Sequence, residues 1–153
     1  MNALYAVIII VVMAFAAMYG YKIFLETKED ISEDIESPKA QAAFDEIEQR
    51  YPSIFDGAIA FVFFLIWIFV IVSGFIRDSH PVLFGVSLIV IMFIIIGGMF
   101  IGNFYEETFN DSELIEVVDY FPITNWILTN MMIIGIIFGF SALIAAFAAG
   151  LRQ

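Results

Sequence analysis

Few residues here have the type and spacing that catalysis needs. His80 is the single histidine and cysteine is absent. A multi-histidine zinc site, a thiol nucleophile and a CxxC pair are therefore excluded within one chain. His80 closes the run Arg77-Asp78-Ser79-His80 just before Pro81, where a solvated turn accounts for it better than general-base work. No glycine-rich phosphate loop follows a strand pattern, and no serine occupies a nucleophile elbow. The sequence points away from an enzyme and assigns no catalytic, cofactor-binding or metal-binding residue.

Carboxylates are the one plentiful chemical group, 17 against 6 Lys and Arg, for a formal net charge of −11. Glu106, Glu107, Asp111, Glu113, Glu116 and Asp119 fall in one stretch without any base; they are the candidates for facing a partner. Asp111, Glu113 and Glu116 have the charge to collect a divalent cation weakly, but they lack EF-hand spacing. A solvated helix face is the commoner origin of such runs. Thr124, Asn125, Thr129 and Asn130 form a second polar cluster. It could line a short vestibule, although such groups more often bond neighbouring helices or backbone.

Apolar elements must position these groups. The chain is 153 residues long, 62% apolar and only 15% charged, whereas soluble domains average about 45–50% and about 25%. A domain of this size still exposes roughly a third of its unfolded surface, so the excess cannot all be buried. With a mean hydropathy of +0.96, the composition excludes a soluble globular domain, a disordered chain and a disulfide scaffold. It predicts an all-α integral membrane protein with a single four-span domain over residues 1–153.

Four apolar runs carry the spans, at about 3–25, 57–76, 81–104 and 123–151. Each approaches the ~20 helical residues that cross a bilayer. Helices are required because an open strand in lipid leaves its backbone unpaired, and an antiparallel bundle is expected. The first run has a small-residue pattern, Ala14-Phe15-Ala16, but no Lys or Arg before it, so it reads as a retained span rather than a signal peptide. No Asp or Glu falls in the core of a run, which disfavours a proton relay or transport path.

The acids lie between the runs, 16 of the 17 in two segments. In the first, Ser37-Pro38 reads as a helix start, and Ala40, Phe44, Ile47 and Tyr51 form an apolar stripe closed by Pro52. In the second, Asn110 or Asp111 could cap a helix with Leu114, Ile115, Val118 and Phe121 on one side, ended by Pro122. Two short acidic amphipathic helices, about 38–50 and 112–121, are thus expected to lie over the interface on one side. Each half of the chain then reads span, acidic helix, aromatic-Pro, span, a weak parallel repeat.

Packing signals are plainer than chemical ones. Gly98 and Gly102, and Gly135 and Gly139, make two GxxxG motifs; Gly20, Ala142 and Ala146 extend the small-residue theme. Such faces let backbones approach where lipid supplies no hydrophobic drive. Counting Lys and Arg literally puts the acidic segments in the cytoplasm. However, the i,i+4 pairs Lys22–Glu26 and Glu46–Arg50 blunt those charges, so the expected orientation has the termini inside and the acidic segments outside. Partners are then the lipid bilayer and other membrane subunits or a second copy of the chain. Nucleic acid is excluded by charge. The reading is a non-enzymatic structural or assembly protein, an accessory subunit or a virion membrane protein, with an acidic cap on one side. The alternative is a small channel, holin-like pore or transporter.

Overall fold

The computed structural model describes residues 3–32, 37–76, 81–109 and 114–150. They fold as α1 (Ala3–Ser32), α2 (Pro38–Ile76), α3 (Pro81–Phe109), α4 (Ile115–Val118), α5 (Pro122–Thr129) and α6 (Met131–Gly150). No strand occurs among the described residues. Four helices are long and apolar enough to cross a membrane, over Tyr5–Ile31, Pro38–Phe75, Leu88–Phe109 and Met131–Ala149, consistent with an integral membrane protein. The Arg77–His80 connection lies outside the described residues, as do Asn110, Asp111 and Glu113.

Several boundaries correct the sequence expectation. The first acidic helix is not separate: α2 is one helix of 39 residues with Pro52 inside it. Proline removes the N–H that would reach the carbonyl four residues back, here that of Glu48. Tyr21 of α1 donates its hydroxyl to that carbonyl at 3.0 Å. A partner from a neighbouring helix thus satisfies the group that Pro52 orphans, and the helix continues through it. At about 1.5 Å per residue α2 is roughly 58 Å long, about twice a hydrocarbon core. Residues 38–50 are its first third, in line with the rest of the helix.

α1 likewise runs past residue 25 to Ser32, because α2 holds its last turns. Lys28 Nζ lies 2.7 Å from Asp45 Oδ1 and 2.5 Å from Glu48 Oε2, and Phe24 stacks on Phe44 at 5.9 Å. The expected i,i+4 pairs also form, Lys22–Glu26 at 3.5 Å and Glu46–Arg50 at 3.2 Å. α3 continues to Phe109 rather than stopping at 104, its last turns held by Tyr105 and Phe109, both 2% exposed.

The second acidic helix shrinks to the single turn α4, whose N-cap Leu114 makes no side-chain capping bond. Leu114, Val117 and Phe121 are all buried. The chain turns through Asp119 and Tyr120 to seat Phe121 rather than extending a regular helix. The fourth span is broken at Asn130, with φ −102° and ψ 25°. Asn130 Nδ2 donates to the Trp126 carbonyl at 2.8 Å, the kind of local side-chain bond that competes with helix continuation.

α6 packs against both α2 and α3. Going down α3, Gly102 meets Leu128 and Thr129, Gly98 meets Met131, Ile94 meets Gly135 and Ile91 meets Gly139. Going up α2, Asp56 meets Ile123, Trp67 meets Ser141 and Gly74 meets Ala142 and Ala145. Between α1 and α2 the order reverses, Ala17 with Tyr51 and Phe24 with Phe44. The largest fully buried side chains gather around Tyr21, Tyr105, Phe121, Met18 and Leu128.

Candidate functional site

The two acidic segments converge on Tyr21, a residue that composition alone does not mark. Its ring lies 5.6 Å from Tyr51 and stacks with it, and meets Tyr120 at 5.1 Å and Phe121 at 5.6 Å edge-on. Each such pair contributes about 0.5–1.5 kcal/mol beyond area burial. Tyr51 and Phe121, the aromatics of the two aromatic-Pro steps, face each other at 6.5 Å. In the first half of the chain that step lies within a helix, whereas in the second it begins one. Tyr21→Phe keeps these rings but frees the Glu48 carbonyl. A loss of about 1 kcal/mol is expected, read as a lower midpoint in detergent thermal unfolding by circular dichroism.

Beside this junction a buried carboxylate ties α2 to α5. Asp56 is 5% exposed; its Oδ2 accepts the Ile123 N–H at 2.9 Å and its Oδ1 the Thr124 N–H at 2.5 Å. Pro122 occupies the first position of α5, where its missing N–H costs nothing. The next two backbone donors are thus satisfied by an acid from another helix, and the negative charge sits where the helix dipole favours it. Thr124 is itself fully buried, and its Oγ1 has no hydrogen-bond partner among the described residues. Thr124→Val should therefore leave stability unchanged or raise it by up to about 1 kcal/mol. A drop in unfolding midpoint would show that the hydroxyl is engaged.

The remaining Asn/Thr residues mostly bond to neighbours. Asn125 Oδ1 accepts from the Tyr105 hydroxyl at 3.0 Å and from Thr129 Oγ1 at 3.3 Å, joining α3 to α5. They also line open space. A cleft of about 380 Å³ is bounded by Tyr105, Glu106 and Phe109 on α3, and by Asn125 and Thr129 on α5. A second, about 320 Å³, shares Asn125 and Thr129 and adds Asp119, Trp126 and Asn130. Elsewhere hydroxyls are turned back on their own helices: Thr27, Ser73 and Thr108 each donate to the carbonyl four residues before.

Most of the small residues lie at close helix contacts inside the chain. A Cβ on Gly98 would stand 2.9 Å from the Met131 carbonyl oxygen, and one on Gly139 would stand 2.7 Å from Ile91 Cγ2. Gly102 and Gly135 are next to Leu128 and Thr129 and to Ile94, and Ala142 and Ala146 face Gly74. Gly20 differs: it is exposed, and among the described residues a Cβ there would meet just the Tyr51 hydroxyl, at 3.7 Å. Gly74 is the contact that sequence reasoning missed, its Cβ position being 2.8 Å from Ala145 Cβ. It belongs to no GxxxG motif. Asp56 was missed because it sits just outside an apolar run and resembles the other acids of its segment.

Of the partner-facing candidates, Glu106, Glu107, Glu116 and Asp119 are exposed, while Asp111 and Glu113 lie outside the described residues. Among the described residues no group of three or more His, Asp or Glu could hold a metal ion. What the junction does chemically is cap, brace and seal. No family model, curated protein or solved structure matches the chain.

Proposed function

We propose that this is a non-enzymatic structural or assembly protein of a membrane, an accessory subunit or a virion membrane component that presents an acidic end to its partners. In this reading the four long helices form an antiparallel bundle, which the opposite registers of α1 with α2 and of α3 with α6 support. The observation that carries the proposal is the convergence of both acidic segments on Tyr21, backed by the Asp56 cap. These contacts brace the exposed carboxylates of Glu106, Glu107, Glu116 and Asp119 at one end of the bundle. Lys28 is committed to Asp45 and Glu48. The fitting partner is a basic protein surface, recognised with strong salt dependence.

The orientation consistent with this role keeps the termini inside and the acidic end outside. Because the chain lacks cysteine, single cysteines at Glu107 and at Gln153 would report it by impermeant maleimide labelling of intact cells or particles. Native purification decides the function. A stoichiometric co-purifying protein, lost on Glu106→Lys with Glu107→Lys and released by salt, is the expected result. A lone species that conducts ions in liposomes would overturn it.

A further inference from the structure

The two adjoining clefts make one groove whose lining matches a particular ligand. Asn125 lines both clefts, and the carbonyl of its side chain already accepts from Tyr105 and Thr129. Among the described residues no hydrogen bond engages its amide NH2, which is a donor. Among the described residues Glu106 lines one cleft and Asp119 the other, and no Lys, Arg or His lines either. Aromatic rings stand beside each acid, Tyr105 and Phe109 near Glu106 and Trp126 near Asp119. The groove therefore offers an amide donor for an anion, two carboxylate acceptors for a cation, and aromatic rings beside them.

Its level in the membrane is fixed by the helices that form it. Glu106 and Phe109 stand in the last turn of the third apolar helix, and Trp126, 57% exposed, stands midway along α5. Exposed indole rings next to carboxylates mark the headgroup zone. From this we infer that the groove binds the headgroup of a neutral, amine-bearing phospholipid of the phosphatidylethanolamine kind. The Asn125 amide donates to the phosphate. The primary ammonium donates to the Glu106 or Asp119 carboxylate against an aromatic face. Phosphatidylcholine lacks the N–H donors that a carboxylate needs, and an anionic headgroup would meet both acids. The inference rests on the membrane reading, and its groove shares Glu106 and Asp119 with the proposed assembly surface.

The full chain in nanodiscs carrying equal phosphatidylethanolamine, phosphatidylcholine and phosphatidylglycerol provides the test, with retained lipid counted by native mass spectrometry after mild detergent extraction. One phosphatidylethanolamine per chain, at least fivefold over either other lipid, is the expected result. Glu106→Gln with Asp119→Asn, two exposed and isosteric changes, should reduce that preference to within twofold. Trp67 and Trp126 are the two tryptophans, so Trp67→Phe leaves Trp126 as a local fluorescent reporter. Its emission should shift when phosphatidylethanolamine is added to phosphatidylcholine discs, and the shift should vanish in the double variant. Equal retention of all three lipids, preference for phosphatidylcholine or phosphatidylglycerol, or an unchanged preference in the double variant each overturns the inference. A chain that keeps its partner protein yet shows no lipid preference would sink this inference and leave the assembly reading standing.

Discussion

Replacing Asp56 with alanine is expected to cost about 3–5 kcal/mol and to detach α5 from α2. The size follows from what is stranded. The Ile123 and Thr124 N–H groups lose their acceptor, and a buried donor left unmade costs about 1–3 kcal/mol. Losing the negative charge at a helix N-terminus adds a further ~0.3–2 kcal/mol. Asp56→Asn keeps one acceptor oxygen but no charge, so it should fall about halfway. Asp119→Ala, at an exposed acid, should stay within about 0.5 kcal/mol. Thermal unfolding in one detergent gives the order native, then Asp56→Asn, then Asp56→Ala. An Asp56→Ala midpoint equal to that of Asp119→Ala would remove the capping argument.

The second large effect separates two adjacent glycines on α3. Gly97→Ala should be neutral or stabilising by up to about 1 kcal/mol, because alanine is the better helix former and nothing lies within 4 Å of its Cβ position. Gly98→Ala gains the same propensity. However, its Cβ would stand 2.9 Å from the Met131 carbonyl oxygen and 3.1 Å from the carbonyl carbon. Both are backbone atoms at the α5–α6 break and cannot rotate aside. Overpacking of this kind costs about 1–3 kcal/mol, so the net sign reverses. A branched residue at Gly98 should prevent α3 from docking on α6 altogether. If Gly97→Ala and Gly98→Ala shift the midpoint equally, the close approach is not the determinant.

The same contrast shows where local reading ends. Both glycines stand in one apolar run, and the GxxxG pattern picks out Gly98 and Gly102 without saying what they face. They face this chain's own α5 and α6, as Gly135 and Gly139 face α3, so these motifs are occupied within the fold. Gly74 makes an equally tight contact with Ala142 and Ala145 yet belongs to no motif. A pattern along one helix registers small residues, whereas a close approach depends on the neighbour.

The spans themselves were legible in the sequence because burial in lipid is a local property. A run of apolar residues has the same transfer free energy whatever it packs against, so four helices follow from hydropathy and length. The placement of the acids between the apolar runs is likewise a property of the sequence. Pro52 went the other way, because its outcome depends on a group far off in sequence. Pro52 reads as a stop, and is one unless a donor reaches the Glu48 carbonyl; Tyr21, 27 residues away, supplies it. Residues 123–151 read as one helix, but a break comes at Asn130, whose side-chain amide donates to the Trp126 carbonyl, and the Leu128, Thr129 and Met131 carbonyls beside it lie against the glycines of α3. Asp56 looks like any other solvated acid until α5 arrives to use it, 67 residues later in the chain. Sequence determined which segments leave water and which carry charge. Tertiary structure decided which polar groups are satisfied and by whom, because a hydrogen bond needs a partner in space and hydropathy does not.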